Sequence, residues 1–249
     1  MGRVGRSASC PMRGKPMTAV RAAREPIPSD DGAAAHLGGA SIPDLTLPTT
    51  ADRPLRLREL CAARAVLYVY PATGVPGRDP AVDPAPGWDD IAGASGCTAQ
   101  SMGFRAAYAE FEARAIAVAG LSTQPLEEQT EFARRHELPF PLLHDEDGTL
   151  ERELRLPSFT VDGRVFLKRL VLYIEAGRVV YAHYPVYPPA ESAKSLLAWL
   201  AAHLAPRGRS NRSTWTPRAA ARSDVLSQGF SFGVGALSFR FELPRSSSL

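Results

Sequence analysis

Cysteine is scarce in this chain. Cys10, Cys61 and Cys97 are the only three in 249 residues, and their spacing is irregular. That excludes a disulfide framework and a cysteine-rich zinc site, and the lack of any Cys-x-x-Cys pair argues against a thioredoxin-type dithiol oxidoreductase. The reducing cytoplasm is the simplest home for such a chain. Long apolar runs are missing too. No stretch of about 18 apolar residues exists, so no membrane-spanning helix is expected. There is no internal repeat. Acidic residues are absent until Glu25, and the start "MGRVGRSASCPMRGKPMTAVRAAR" lacks the apolar centre of a secretory signal. This start suits an organelle transit peptide, a segment without a fold, or sequence upstream of a true start at Met17.

What is present fits a globular domain: 45% of residues are hydrophobic and the net charge is only +3. The charge is unevenly placed. Residues 1–40 hold six basic and three acidic groups, residues 206–249 hold seven and two, and residues 41–205 carry a net charge of −5. A mildly acidic core argues against nucleic acid as its partner. Residues 1–40 are therefore expected to be a disordered basic tail and residues 206–249 a second basic, poorly ordered one. Residues 41–205 form the expected folded domain.

Along that domain, "IPDLTLPTTADRPLRLREL" alternates and turns, as a short hairpin leading into a helical turn. "AVLYVYP" (65–71) is a buried parallel strand, closed by Pro71. Residues 72–96 are rich in Pro, Gly and Asp around Trp88 and read as an insertion loop. Helical spacing of Phe104, Tyr108 and Phe111 marks a helix over 98–114, and "AIAVAGLS" (115–122) a second buried strand. A helix over 125–138 opens on a proline and carboxylates. A strand, turn and helix follow in "FPLLHDEDGTLERELRL", then a hairpin over 169–186 turning at Ala176–Gly177, then an amphipathic helix over 189–204. This order predicts an α/β, thioredoxin-like fold: a mixed central sheet flanked by helices, with an N-terminal hairpin.

Within this order stands "GASGCTAQSMGFR", which places Cys97 between a Gly-rich turn and the start of a helix. A cysteine there can be a small buried hydrophobe or a nucleophile. An unperturbed thiol, with a pKa of about 8.5, is mostly protonated at neutral pH. A helix start offers unpaired N–H groups and positive dipole potential, which favour the thiolate.

The segments "IPDLTLPTTADRPLRLREL", "AVLYVYP", "GCTAQSMGFR", "GLSTQPLEEQTEFARRHELPFPLLHDEDG" and "KRLVLYIEAGRV" resemble, in this order, the peroxiredoxins. They are most similar to the bacterioferritin-comigratory, or peroxiredoxin Q, branch of the alkyl hydroperoxide reductase/thiol-specific antioxidant family. The resemblance covers residues 41 to 204. It implies a thiol-dependent peroxidase that reduces hydrogen peroxide or organic hydroperoxides through a cysteine sulfenic acid, with no metal or organic cofactor. It implies that Cys97 is the peroxidatic cysteine and that Arg169, in "RLVLYIE", is the arginine beside it. Lys168 next to Arg169 leaves the register open.

Two departures from the pattern stand out. The family's Thr three residues before the cysteine is Ala94 here, with Ser95 or Thr98 as substitute hydroxyls. Its proline matches Pro71, displaced by residues 72–96, and Trp88 in that insertion is a candidate lid over the thiol. The second cysteine, five residues after the first in many members, is Met102. Cys61 precedes a six-residue strand about 20 Å long, which Cys97 follows, so the two are expected at opposite poles. Cys10 lies about 33 residues from the expected folded start, a span of roughly 30 Å for a flexible chain. A one-cysteine mechanism follows, with a small thiol or a thioredoxin-like protein as reductant.

Other features carry less. His136 and His144 have no metal-ligand spacing, His183 sits on an apparent strand, and "HDEDG" is too short for a calcium loop. The polar groups of "GLSTQP" are expected to start the next helix. The alternative to an enzyme is a catalytically weak redox sensor or binding protein on the same fold, favoured by the missing Thr and the missing second cysteine.

Overall fold

The run that follows Arg64 carries no charge through Val69, so it must be covered on both faces. In the computed structural model it is the central strand of a five-stranded sheet. The structure describes residues 26–51, 53–78 and 85–203. Cys10, a start at Met17 and the C-terminal stretch beyond His203 lie outside the described residues.

The elements follow in chain order. A short antiparallel pair, β1 (Thr46–Leu47) and β2 (Leu55–Arg56), leads into one helical turn, α1 (Leu57–Leu60). Next come β3 (Arg64–Val69), α2 (Cys97–Glu112), β4 (Ala117–Ser122), α3 (Leu126–Arg135), β5 (Leu142–His144) and α4 (Thr149–Leu154). The chain closes with β6 (Ser158–Val161), β7 (Arg164–Leu167), β8 (Leu170–Glu175), β9 (Arg178–His183) and α5 (Ser192–His203).

The main sheet has the order β5-β4-β3-β8-β9. β3 runs parallel to β4, as expected, and antiparallel to β8 on its other side. The pleat sends alternate side chains of β3 to opposite faces. Ala65, Leu67 and Val69 join a core with Leu37, Leu57, Cys61 and Leu150. Val66, Tyr68 and Tyr70 join a second core with Cys97, Phe104, Phe111, Phe132 and Leu196. The face under α2 is aromatic: the rings of Tyr68 and Phe104 stack at 4.5 Å. This is the expected mixed α/β sheet with helices over it.

One local expectation is corrected and one element is new. Residues 26–40, read as part of a disordered tail, pack on the domain. Leu37 is fully buried, and Val179 on the edge strand β9 exchanges backbone hydrogen bonds with Gly39 and Ala40 at 2.8 and 2.9 Å. An open sheet edge, buried Ala34 and Leu37, and the Asp31 contacts to Lys168 and Tyr184 hold a segment whose composition is otherwise that of a tail. The β6–β7 hairpin was not foreseen. Its turn is Asp162–Gly163, both with positive φ, the backbone of a two-residue hairpin turn.

Candidate active site

The chain reaches Cys97 through a tethered loop. At the end of β4, Ser122 Oγ donates to Pro71 O at 2.8 Å and accepts the Gln124 N–H at 3.0 Å. Gln124 Oε1 accepts both the N–H and the hydroxyl of Thr73, while its Nε2 donates to Thr73 O at 2.8 Å. These groups were expected to start the next helix; Gln124 does meet that helix at Glu128 and Gln129, and with Ser122 it also ties the first residues of the insertion to β4, because buried polar atoms require partners. Trp88 does not lie over the thiol as a lid. Its ring packs on Phe166 at 4.9 Å and Phe159 at 5.7 Å, in a separate cluster with Ala94. The insertion is thereby pinned to the β6–β7 hairpin.

Gly96 then turns the chain, with φ of +94°, and Cys97 is the first residue of α2. Gly96 O already accepts the N–H of Gln100, so the free N–H groups of the first turn surround the cysteine. Arg169, the residue before β8, comes in from the central sheet. Its Nη2 donates to Cys97 Sγ at 3.1 Å and to Ser95 O at 2.9 Å, with Ala94 O at 3.3 Å and Gly93 O at 3.4 Å. Its Nη1 donates to Gln100 Oε1. One guanidinium thus holds the loop before the cysteine, the helix after it, and the sulfur itself. Both Cys97 and Arg169 are 3% exposed. Lys168 points elsewhere, its Nζ 2.6 Å from Asp31.

A permanent cation and a helix start around one sulfur stabilise negative charge there and on an oxygen attached to it. Neither substitute hydroxyl takes part in this contact. Ser95 Oγ donates to the Asp89 carboxylate at 2.8 Å, and Thr98 is exposed. Tyr68, whose hydroxyl donates to Ser101 Oγ at 3.1 Å, is no proton acceptor, since burial pushes its phenol well up. Burial likewise pushes the Cys61 thiol up to about 12. Two donors remain without a partner: Arg169 Nε and Gln100 Nε2, both buried. Gln100 was not singled out from the sequence, where a glutamine in an early helical turn looks like a solvent-facing residue.

The family model described as AhpC/TSA family matches residues 91–179, which include the Cys97 helix and Arg169. That stretch of the chain is similar to this family. It is similar to the chloroplastic peroxiredoxin Q of Sedum lineare, 31% identical over 120 residues, 48% of this chain and 54% of that protein. It is 32% identical to peroxiredoxin bcp1 of Schizosaccharomyces pombe over 117 residues, 47% of this chain and 50% of that one. Among solved structures, peroxidoxin BcpB from Mycobacterium tuberculosis superposes with a TM-score of 0.54 at 26% identity, over 67% of this chain and 97% of that one. The chain spans about half the length of these curated relatives. Cys61 packs in the core on the other face of the sheet from Cys97, while Met102 stands on α2.

The remaining candidates have local roles. Asp145 of the "HDEDG" turn is buried and accepts the N–H groups of Leu150 and Glu151 at 3.0 and 2.8 Å, so it caps α4. His136 packs against Phe132 in a tilted arrangement, ring centroids 4.6 Å apart. His183 ends the edge strand β9 with its Nδ1 buried and without a partner. No helix among the described residues is long and apolar enough to cross a membrane.

Proposed function

We propose that this chain is a thiol-dependent peroxidase with Cys97 as nucleophile and Arg169 as its electrostatic partner. The observation that carries this is the 3.1 Å contact between the guanidinium and Sγ at the first residue of a helix. The Cys97 thiolate attacks one oxygen of a hydroperoxide. An S–O bond forms, the O–O bond breaks, and the leaving oxygen takes a proton to become water or an alcohol. Cys97 is left as a sulfenic acid. Arg169 and the first-turn N–H groups stabilise charge on the thiolate and on the leaving oxygen.

An external reductant, a small thiol or a thioredoxin-like protein, then returns Cys97 to the thiol. It condenses with the sulfenic acid to a mixed disulfide and water, and a second thiol releases the cysteine. Two observations support the one-cysteine reading: Cys61 is on the far face of the sheet, and Met102 has no thiol. A reducing compartment such as the cytoplasm supplies such a reductant.

The test is peroxide consumption with dithiothreitol as reductant. Wild type and Cys61→Ser consume hydrogen peroxide alike, Cys97→Ser does not, and no Cys61–Cys97 disulfide appears by mass spectrometry. Equal consumption by Cys97→Ser would refute the reading. Ala94, with no hydroxyl, favours a second reading, a slow redox sensor. In that case Cys97 oxidises no faster than a free thiol and does not turn over.

A further inference from the structure

Cys97 and Arg169 are nearly sealed from solvent, and part of the seal comes from outside the sheet and its helices. Beside Arg169 lies a cavity of about 20 Å³, lined by Pro28, Gly93, Phe159, Arg169, Tyr184 and Val186, with Lys168 at its wall. That is room for about one water-sized molecule. Pro28 belongs to the segment before the Ala35–Leu37 turn. It lies directly on the loop that leads to Cys97: a Cβ on Gly93 would stand 3.4 Å from Pro28 Cβ and Cγ.

What holds this segment down is local. The Asp31 carboxylate accepts from Lys168 Nζ at 2.6 Å and from the Tyr184 hydroxyl at 2.8 Å, both cavity residues. The ion pair is half-exposed, with side-chain exposures of 34% and 43%, so it is a weak tie. Ile27, next to Pro28, is 67% exposed and adds no apolar anchor. The strap is therefore seated by one proline and one carboxylate.

We propose that residues 26–31 are a specificity strap, with Pro28 as the wall and Asp31 as the latch, that restricts the Cys97 site to substrates the size of hydrogen peroxide. This rests on the peroxidase reading given above. A bulky organic hydroperoxide reaches Cys97 only when Pro28 has left Gly93. Hydrogen peroxide, little larger than water, enters with the strap in place.

The experiment compares second-order rates of Cys97 oxidation by hydrogen peroxide and by cumene hydroperoxide in the full chain. The readout is the cumene-to-hydrogen-peroxide ratio. Asp31→Ala raises it about threefold to fivefold, the scale of a lost exposed ion pair. Adding Pro28→Gly raises it further, and Lys168→Gln, which cuts the latch from the other side, moves it the same way. In parallel, Cys97 is alkylated with iodoacetamide and with a bulky maleimide in a Cys10→Ser/Cys61→Ser background. The maleimide reaction gains selectively in the strap variants. Fast oxidation with both ratios unchanged in all variants overturns the strap alone. Inertness to peroxide with a selective gain in maleimide labelling overturns the peroxidase reading and keeps the strap as an access barrier.

Discussion

At the residue scale, Gln100 joins the Cys97 helix to Arg169. Its Oε1 accepts Arg169 Nη1, and its own Nε2 is left without a protein partner inside the site. Removing the amide leaves a buried guanidinium N–H without an acceptor. Gln100→Ala is expected to cost about 1–3 kcal/mol of stability, measured by urea unfolding. Oxidation of Cys97 should slow roughly tenfold as Arg169 loses its fixed position, measured by stopped flow. The place of Cys97 at a helix start was legible in the sequence from the Gly-Cys step before a helical pattern, whereas Arg169 beside it was what the family resemblance implied. Gln100 was not, because nothing in "CTAQSM" distinguishes a buried amide from an exposed one. The ties of Ser122 and Gln124 to Pro71 and Thr73 were not legible for the same reason: those partners are about fifty positions away.

At the element scale, the start of α2 depends on Gly96. A Cβ there would stand 2.7 Å from Pro189 Cγ, and the φ of +94° disfavours any L side chain. Gly96→Ala must move either the helix start or the Pro189–Glu191 turn that leads into α5. The expected loss is roughly 1–3 kcal/mol, seen as a fall in Tm of several degrees, together with slower Cys97 oxidation as Sγ moves from Arg169. An unchanged Tm would show that the turn yields freely. The strands and helices around this point were readable because both faces of β3 are covered and α2 carries aromatics at helical spacing. The β6–β7 hairpin was missed although its Asp-Gly turn stands between "SFTV" and "RVFL". The strands are only four residues each, and the run before them continues a helical pattern.

At the scale of the whole molecule, stability should depend on pH through His183. Burial lowers its imidazole pKa from the ordinary 6.5. Below about 6.5 the unfolded chain takes up a proton that the folded chain refuses. The folded state is thus at full advantage above that value and loses stability as pH falls toward the folded pKa. Urea unfolding at pH 7.5 and 5.0 should show this loss in wild type and a smaller one in His183→Phe; equal losses would place the dependence elsewhere. The same scale shows where composition misleads. Residues 26–40 look like tail by their Gly, Ala, Pro and Asp content, yet their backbone bonds to Val179 on the β9 edge and Pro28 reaches the cavity beside Arg169.

The central claim is that the Arg169 guanidinium and the α2 start make Cys97 a peroxide-reactive thiolate. Its most direct test is the second-order rate of Cys97 oxidation by hydrogen peroxide, measured by stopped flow in wild type and Arg169→Ala. The account predicts oxidation orders of magnitude faster than a free thiol, slowed about 100-fold or more without the arginine. A rate like that of free cysteine, or one indifferent to Arg169, would contradict it.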